Sequence, residues 1–426
     1  MKEKLMKYIE FMEKNIKADD YEIYISYDEN QDTRFAQNSI TQHIAGDQTS
    51  VFYKCMIDNK LGTYNSTQID EENLLQVIKK AEEIANNNSP DLEYAPTIAK
   101  EDYLKRTLYF PSIENLDTAK MIEIIKKCID KAESKKAKLS GILSKNICHS
   151  IYVTKNGFSD YEHTSKVEIS MTMAAGHIET NVAYAHRDFN KMSIDNILSQ
   201  IEVQFDALSK MENMDFEPIP VILRPQAVNQ LFLMCMWYGL QRKSADQGLT
   251  PFADKLKTKC LGEKLNFRSS ISDPDLPANH YCSDNVSKDI EWVSNGILKN
   301  LSTSRDWAYK KNLKPCTAYN VIIDGEGLTE IEMMKKVKRG LIVNNLWYIR
   351  LNDLKTLDFT GMTRDGVIYF ENGQYKHAVN NFRFNEAFID LSNRIIATGI
   401  PVQLDTTTKV PAMLIDNFNF VDKTSF

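Results

Sequence analysis

Residues 360–384 read TGMTRDGVIYFENGQYKHAVNNFRF. Gly366 to Phe370 is apolar and aromatic, as a strand requires, and Glu371-Asn372-Gly373-Gln374 supplies a turn. Asn-Gly favours a type I′ hairpin, because both central residues of that turn need positive φ. A second strand-like run, 375–379, follows and is broken by Asn380-Asn381. This stretch specifies a β-hairpin, and its surroundings extend the pattern. Residues 317–324, 341–349 and 412–420 read as further strands. Thr329 with Glu332 forms a capping box for a helix that stops at Gly340. Val221-Ile222-Leu223 is a short strand, and Pro225 suits the first turn of a helix reaching about residue 244. Its stretch from Leu231 to Trp237 is apolar all round, which predicts a buried packing helix.

The first half mixes helices and strands. Leu5, Met6, Ile9, Met12 and Ile16 share one helical face. Residues 21–27 and 49–57 read as strands, the second ending in the turn Asp58-Asn59-Lys60. Asp70 caps a helix carrying Leu74, Val77, Ile78 and Ala81. Ile122, Ile125, Ile129 and Ala132 mark another helix. Residues 147–154 and 166–173 read as strands around Asn156-Gly157, and a helix over 193–211 closes this half. Without a regular βαβ alternation the fold class is α+β. The proline-bearing stretch 213–220 divides it into an N-terminal helix/strand domain, 1–215, and a C-terminal domain rich in antiparallel strands, 216–426.

At 426 residues, two domains is the expected count. With 42% hydrophobic and 26% charged residues and a net charge of -6, the composition is that of a soluble globular protein without a basic stripe for nucleic acid. No apolar run reaches the ~18 residues of a membrane span, and the charged first 17 residues do not form a signal peptide. Seven scattered cysteines make no CxxC pair, which fits a reducing compartment. The expected location is cytoplasmic.

The wording of 360–384, T-G-x-T-R-D-G, a strand, E-N-G, a strand, then V-N-N-x-R-F, closely resembles the C-terminal signature of the TldD/TldE (PmbA) family, whose active members are zinc-dependent peptidases. Arg34-Phe35-Ala36-Gln37-Asn38-Ser39 resembles that family's "RFANS" element. Further likenesses lie at 62–73, Ser272-Asp273-Pro274-Asp275, Gly296-Ile297-Leu298, Gly340-Leu341-Ile342-Val343 and Val410-Pro411-Ala412, so the resemblance covers most of the chain.

Zinc-bearing members carry H-E-x-x-x-H on the helix that opens the C-terminal domain, where two imidazoles hold the metal beside a carboxylate base. The corresponding helix here, 225–240, contains no histidine, aspartate or glutamate, and Cys235 is its sole potential ligand. Gln241-Arg242-Lys243-Ser244 resembles the "YRKSSFL" element of the TldE branch, although Ala245-Asp246-Gln247 departs from it. Leu261-Gly262-Glu263-Lys264 resembles that branch's "LGKQ". The resemblance implies a metal-free subunit, inactive alone, pairing with a zinc-bearing TldD-like subunit around a cleft for unfolded or precursor peptides. The expectation is therefore no catalytic residue and no metal ligand in this chain, with zinc in the partner. The substrate-binding candidates are Thr363, Arg364, Asp365 and Arg242. A stand-alone peptide-binding or scaffold protein, alone or as a homodimer, is the alternative.

Other constellations compete. His177 and His186, with Glu179 between them, suggest a relocated metal site on adjacent strands. Cys148-His149, and Cys282 near His280, suggest a cysteine nucleophile. Surface or hydrogen-bonded histidines are the simpler reading of both. Arg364 can fork onto a substrate carboxylate or brace Asp365 in a turn. Asp324-Gly325-Glu326-Gly327 lacks the lysine and glycine spacing of a phosphate loop, and its two acids would repel phosphate.

Overall fold

The computed structural model describes residues 1–176, 178–282 and 285–424. The N-terminal domain is built on an antiparallel sheet of β1 (Asp20–Ala36), β2 (Ser39–Ile57), β3 (Lys60–Ser66), β4 (Lys138–Thr154), β5 (Ser159–Ala175) and β6 (Ile178–His186), in the order β3-β2-β1-β4-β5-β6. The four helices α1 (Lys2–Asn15), α2 (Glu71–Asn87), α3 (Thr118–Ser134) and α4 (Ile194–Ala207) supply apolar faces to its core. Asp70 caps α2 through Asn73 N–H, and Ser193 caps α4 through Asn196 N–H. The strands run well beyond the stretches their apolar runs suggest. Residues 39–48 of β2 are all exposed, so no apolar alternation marks them; backbone pairing with β1 extends them. Gln37 and Asn38, both at positive φ, make the β1–β2 turn inside the element that resembles "RFANS".

In the C-terminal domain a long sheet comprises β7 (Met211–Glu212), β8 (Ile219–Leu223), β9 (Arg339–Asp353), β10 (Asp358–Glu371), β11 (Gln374–Val379), β12 (Phe382–Ala387), β13 (Ile395–Thr398), β14 (Met413–Phe418) and β15 (Phe420–Lys423). Its order is β13-β14-β8-β9-β10-β11-β7, with β12 pairing β10 and β15. Most pairs are antiparallel, whereas β9 runs parallel to β8 and β11 parallel to β7. A second sheet includes Phe267–Ser269, Ile290–Ser294 and Val321–Ile323. Asn372 and Gly373 both have positive φ, and the β10–β11 hairpin turns at them as its Asn-Gly dipeptide predicts.

Several elements differ from expectation. The helix expected over 193–211 ends at Ala207, and Met211–Glu212 instead pairs with Ala378–Val379, so the closing residues of the first half join the long sheet of the C-terminal domain. The helix opening the C-terminal domain, α5, spans 225–239 with a π turn over Asn229–Leu233. It stops before residue 244 because Ser302 takes over the backbone: Ser302 N–H donates to Leu240 O at 2.7 Å, and Arg242 N–H donates to Ser302 O at 2.8 Å. Nor is α5 buried all round. Phe232 and Cys235 are buried, while Trp237 is 45% and Tyr238 49% exposed. The capping box at Thr329 forms, but its helix ends at Met334, and Gly340 belongs to β9. Of 317–324, Val321–Ile323 alone is strand.

On the helix-facing side of the first sheet, Tyr109, His163 and His149 form a stack with centroid separations of 3.8 and 4.0 Å. Burial and the neighbouring His149 lower the His163 pKa to about 4, and burial also lowers that of His149. The unfolded chain takes up these protons near 6.5. Between 6.5 and about 4 it therefore binds protons that the folded chain refuses, so stability falls as pH falls through that window. Melting temperature should decline from pH 6.5 to 4, and His163→Phe should flatten part of that decline.

Candidate functional site

Between the two sheets lies a cleft whose wall is β6, the last strand of its sheet. One part, of about 530 Å³, is lined by Ile178 and Glu179 of β6, Leu208 after α4, Trp347 of β9, and the run 362–366 of β10. A second part, of about 630 Å³, lies farther along β6 and is lined by Asn345 together with Asn181, Gln204, Gln226, Asn344 and Gln403. Asn344 Nδ2 spans the domains by donating to Asn181 O at 3.2 Å.

The cleft end of β10 is shaped by bulges. Pairing with β9 shifts between Val343 and Asn345 and again between Trp347 and Arg350. Asp365 and Gly366 have φ of 57° and 102°. A Cβ on Gly366 would lie 2.6 Å from Leu208 Cδ1, so glycine is what lets β10 pass the end of α4.

Thr363, Arg364 and Asp365 thus meet in one cleft, in different roles. Thr363 is 3% exposed; its hydroxyl donates to Asn381 Oδ1 at 3.0 Å and accepts from Phe382 N–H at 2.9 Å, anchoring the chain reversal into β12. Arg364 lies over the Trp347 ring, 4.7 Å from its centroid, with 47% of its side chain exposed. Its Nε is 3.5 Å from Asp365 Oδ1, a loose ion pair within a bulged strand and not in a tight turn. Asp365 Oδ2 accepts from Asn345 Nδ2 at 2.8 Å. Burial raises the Asp365 pKa; Arg364 and Asn345 pull it down, and Glu179 from the other domain pushes it up. Arg242 lies outside this cleft, its Nε on Asp246 Oδ1 at 2.7 Å.

Next to the amide-lined part, Arg224 forks onto Glu330 through two bonds of 2.9 Å, and the Tyr375 hydroxyl donates to the same carboxylate at 2.7 Å. On α5, Gln230 accepts from Leu346 N–H at 2.6 Å and so ties the helix to the bulged strand. Farther along, Leu233, Met236, Trp237 and Leu240 face Phe267, Trp292 and Val321. With neither imidazole nor carboxylate in this wall, the donor set does not fit zinc.

Among the described residues the rival constellations do not assemble. His177 lies outside the described residues. Glu179 and His186 stand near opposite ends of one strand, not on adjacent strands, and His186 Nδ1 accepts from Asp188 N–H at 2.8 Å. Cys148 and His149 are consecutive in β4 and so face opposite sides of the sheet. Burial drives the Cys148 thiol pKa far up. Cys282 donates to Ala318 O at 3.3 Å. Asp324 pairs with Arg268, and Glu326 with Lys264.

Asp160, Glu162 and His280 do come together, buried, with ligand-type atoms within 4.8 Å of one another. His280 Nε2 accepts from Arg106 N–H at 3.0 Å, which leaves Nδ1 to donate to Asp160 Oδ2 at 2.8 Å. Both ring nitrogens are committed, so no lone pair remains for a metal. Glu162 accepts from His280 N–H at 2.6 Å and Asn279 Nδ2 at 2.7 Å. This is a latch between the first sheet and the loop 278–280. His280→Ala should take one of the two donors from the buried Asp160 carboxyl and cost about 1.5–3 kcal/mol, read as a lowered melting temperature. Added zinc should leave the wild-type melting temperature unchanged.

Residues 217–422 match the family described as PmbA/TldA metallopeptidase C-terminal domain. Among solved structures, TldE from Thermococcus kodakarensis is similar with a TM-score of 0.87 at 16% identity, over 98% of this chain and 99% of that one. A proposed modulator of a DNA gyrase from Thermotoga maritima gives 0.84 at 15% identity, over 99% and 100%. One from Bacteroides thetaiotaomicron gives 0.83 at 14%, over 98% of each chain. No curated protein sequence matches the chain. At these identities the structural likeness is one of fold.

Proposed function

From the premise that this chain belongs to the TldD/PmbA family, we propose that it is a metal-free subunit of a two-subunit metallopeptidase and forms a wall of its peptide cleft. The observation that carries this reading is α5, which opens the matched family domain without a histidine, aspartate or glutamate. A zinc-bearing partner supplies the activated water; this chain supplies positioning. Its residues suit that task. Among the described residues β6 is strand-paired on one side, by β5; its other edge is met at Asn181 O by Asn344 and at Ala185 N–H by Leu404 O, and beside it lies a cleft lined with side-chain amides. An extended peptide added there gains backbone hydrogen bonds that demand no particular sequence. Unfolded or precursor peptides are the substrate class this favours.

Co-expression with a zinc-bearing relative from the same genome tests the assignment. A stable complex on size-exclusion chromatography, with zinc in the complex but not in this chain alone and peptide cleavage by the complex only, is the expected result. Failure to form a complex with any such relative overturns it, and peptide binding by the chain alone would then favour a stand-alone binder.

Arg364 offers a sharper check within this reading. Half exposed over Trp347, its guanidinium is available to a peptide carbonyl or carboxylate. Arg364→Ala removes a charge-assisted bond of about 1.5–3 kcal/mol and should lower peptide cleavage by the complex roughly ten- to a hundredfold. Melting temperature, measured on the same preparation, should barely move. A lower melting temperature with normal turnover would make Arg364 a brace for the bulge.

A further inference from the structure

The 530 Å³ part of the cleft has a mixed lining. Ile178, Leu208, Met362, Val379 and the Trp347 ring supply its apolar surface. Glu179, from the first domain, and Asp365, from the second, bring two carboxyl groups together in it. Arg364 is the one cation among the described lining residues, and it is only loosely engaged, at 3.5 Å from Asp365. Burial and the Glu179 carboxyl, which hydrogen-bonds to it, disfavour the charged form of Asp365. The Thr424 hydroxyl oxygen, also in this wall, is buried without a hydrogen-bond partner among the described residues.

Two carboxyls hydrogen-bonded to each other in a half-desolvated site share a proton, because they do not ionise together without cost. An ammonium or guanidinium that takes that proton's place, the proton leaving to solvent, lets both ionise, and an unpaired hydroxyl offers it a further acceptor. The matching ligand has an apolar stem to lie along Ile178 and Met362 and a cationic head to reach the acids. Lysine and arginine side chains have that build. An anionic side chain would meet two acids, and a purely aliphatic one would leave them unsatisfied.

We infer that this part of the cleft is a specificity pocket for a basic side chain of the bound peptide. The inference rests on the peptide-cleft reading above and adds a sequence preference to it. Because the two acids come from different domains, the pocket exists only where the two sheets meet, and a bound lysine or arginine would tie β6 to β10.

Fluorescence anisotropy of the full chain with labelled extended peptides tests it, using peptides identical except for a single central lysine, norleucine or glutamate. The lysine peptide should bind about tenfold or more tightly than the norleucine peptide, with the glutamate peptide weakest. In a Glu179→Gln, Asp365→Asn double variant the lysine peptide should fall to the norleucine level. A melting curve accompanies each variant, and Asp365→Asn should not lower stability, since the carboxyl it replaces is disfavoured in its charged form. Equal binding of all three peptides to the wild type sinks the pocket while leaving the peptide cleft standing. A lysine preference that survives in the double variant also sinks it. Binding of none of the peptides removes the peptide cleft itself, and the pocket with it.

Discussion

Asp160 and Glu162 stand two residues apart on β5, on the face of the sheet that meets the C-terminal domain, and both are almost wholly buried. Buried carboxyls need donors, and here most come from outside the sheet. Tyr103 and His280 serve Asp160; the His280 backbone and Asn279 serve Glu162. Arg106 holds the same loop by donating to Ala278 O and Asn279 O, each at 2.8 Å, and Arg187 reaches Asn279 Oδ1 at 2.8 Å. Hydrogen bonds are directional and apolar contacts are not, so a joint built this way fixes distance and angle where a greasy one would let the sheets close on each other. With the domains pinned at β5, the next strand, β6, comes to lie along a gap.

The gap remains open because β10 bends away from regular pairing at the same level. Two bulges against β9, the positive φ of Asp365 and Gly366, and the close approach of Gly366 to Leu208 all occur within a few residues. Bulged strands re-aim side chains; here Arg364 ends on Trp347 and Asp365 faces Glu179. Thr363 gives both of its hydrogen bonds to the return strand, which braces the distortion. Local irregularity and the interdomain gap are thus one construction.

Much of the framework was legible in sequence. Asn372-Gly373 turned the hairpin, Asp70 capped its helix, and Thr329 with Glu332 closed its box, because each of these signals is local. Strand lengths were not. β2 continues for a dozen residues with no apolar alternation, held by cross-strand partners that no window of its own sequence contains. The helix break after Leu240 depends on Ser302, some sixty residues away. Thr363, Arg364 and Asp365 stood out through wording alone, whereas Glu179 did so only as a companion of His177 and His186. Its actual neighbour, Asp365, lies 186 positions later in the chain and could be found only by folding it. Arg242 shows the converse: a family-like word whose side chain is occupied by Asp246, four residues on.

Charge is distributed along the cleft in a way that separates two tasks. The larger part is lined mainly by amides, hydroxyls and short apolar groups, and its charged residues, Arg224 and Glu330, neutralise each other through two bonds of 2.9 Å. Side-chain amides both donate and accept, so such a wall can follow a peptide backbone in any register without preferring a side chain. The smaller part holds the hydrogen-bonded Asp365–Glu179 acid pair among apolar residues, and so is the part suited to respond to charge. Asn345 lines the first and donates to Asp365 in the second, which makes it the hinge point between them. On the proposed peptide-cleft reading, a chain lying along β6 is held by its backbone in one part and read by a side chain in the other.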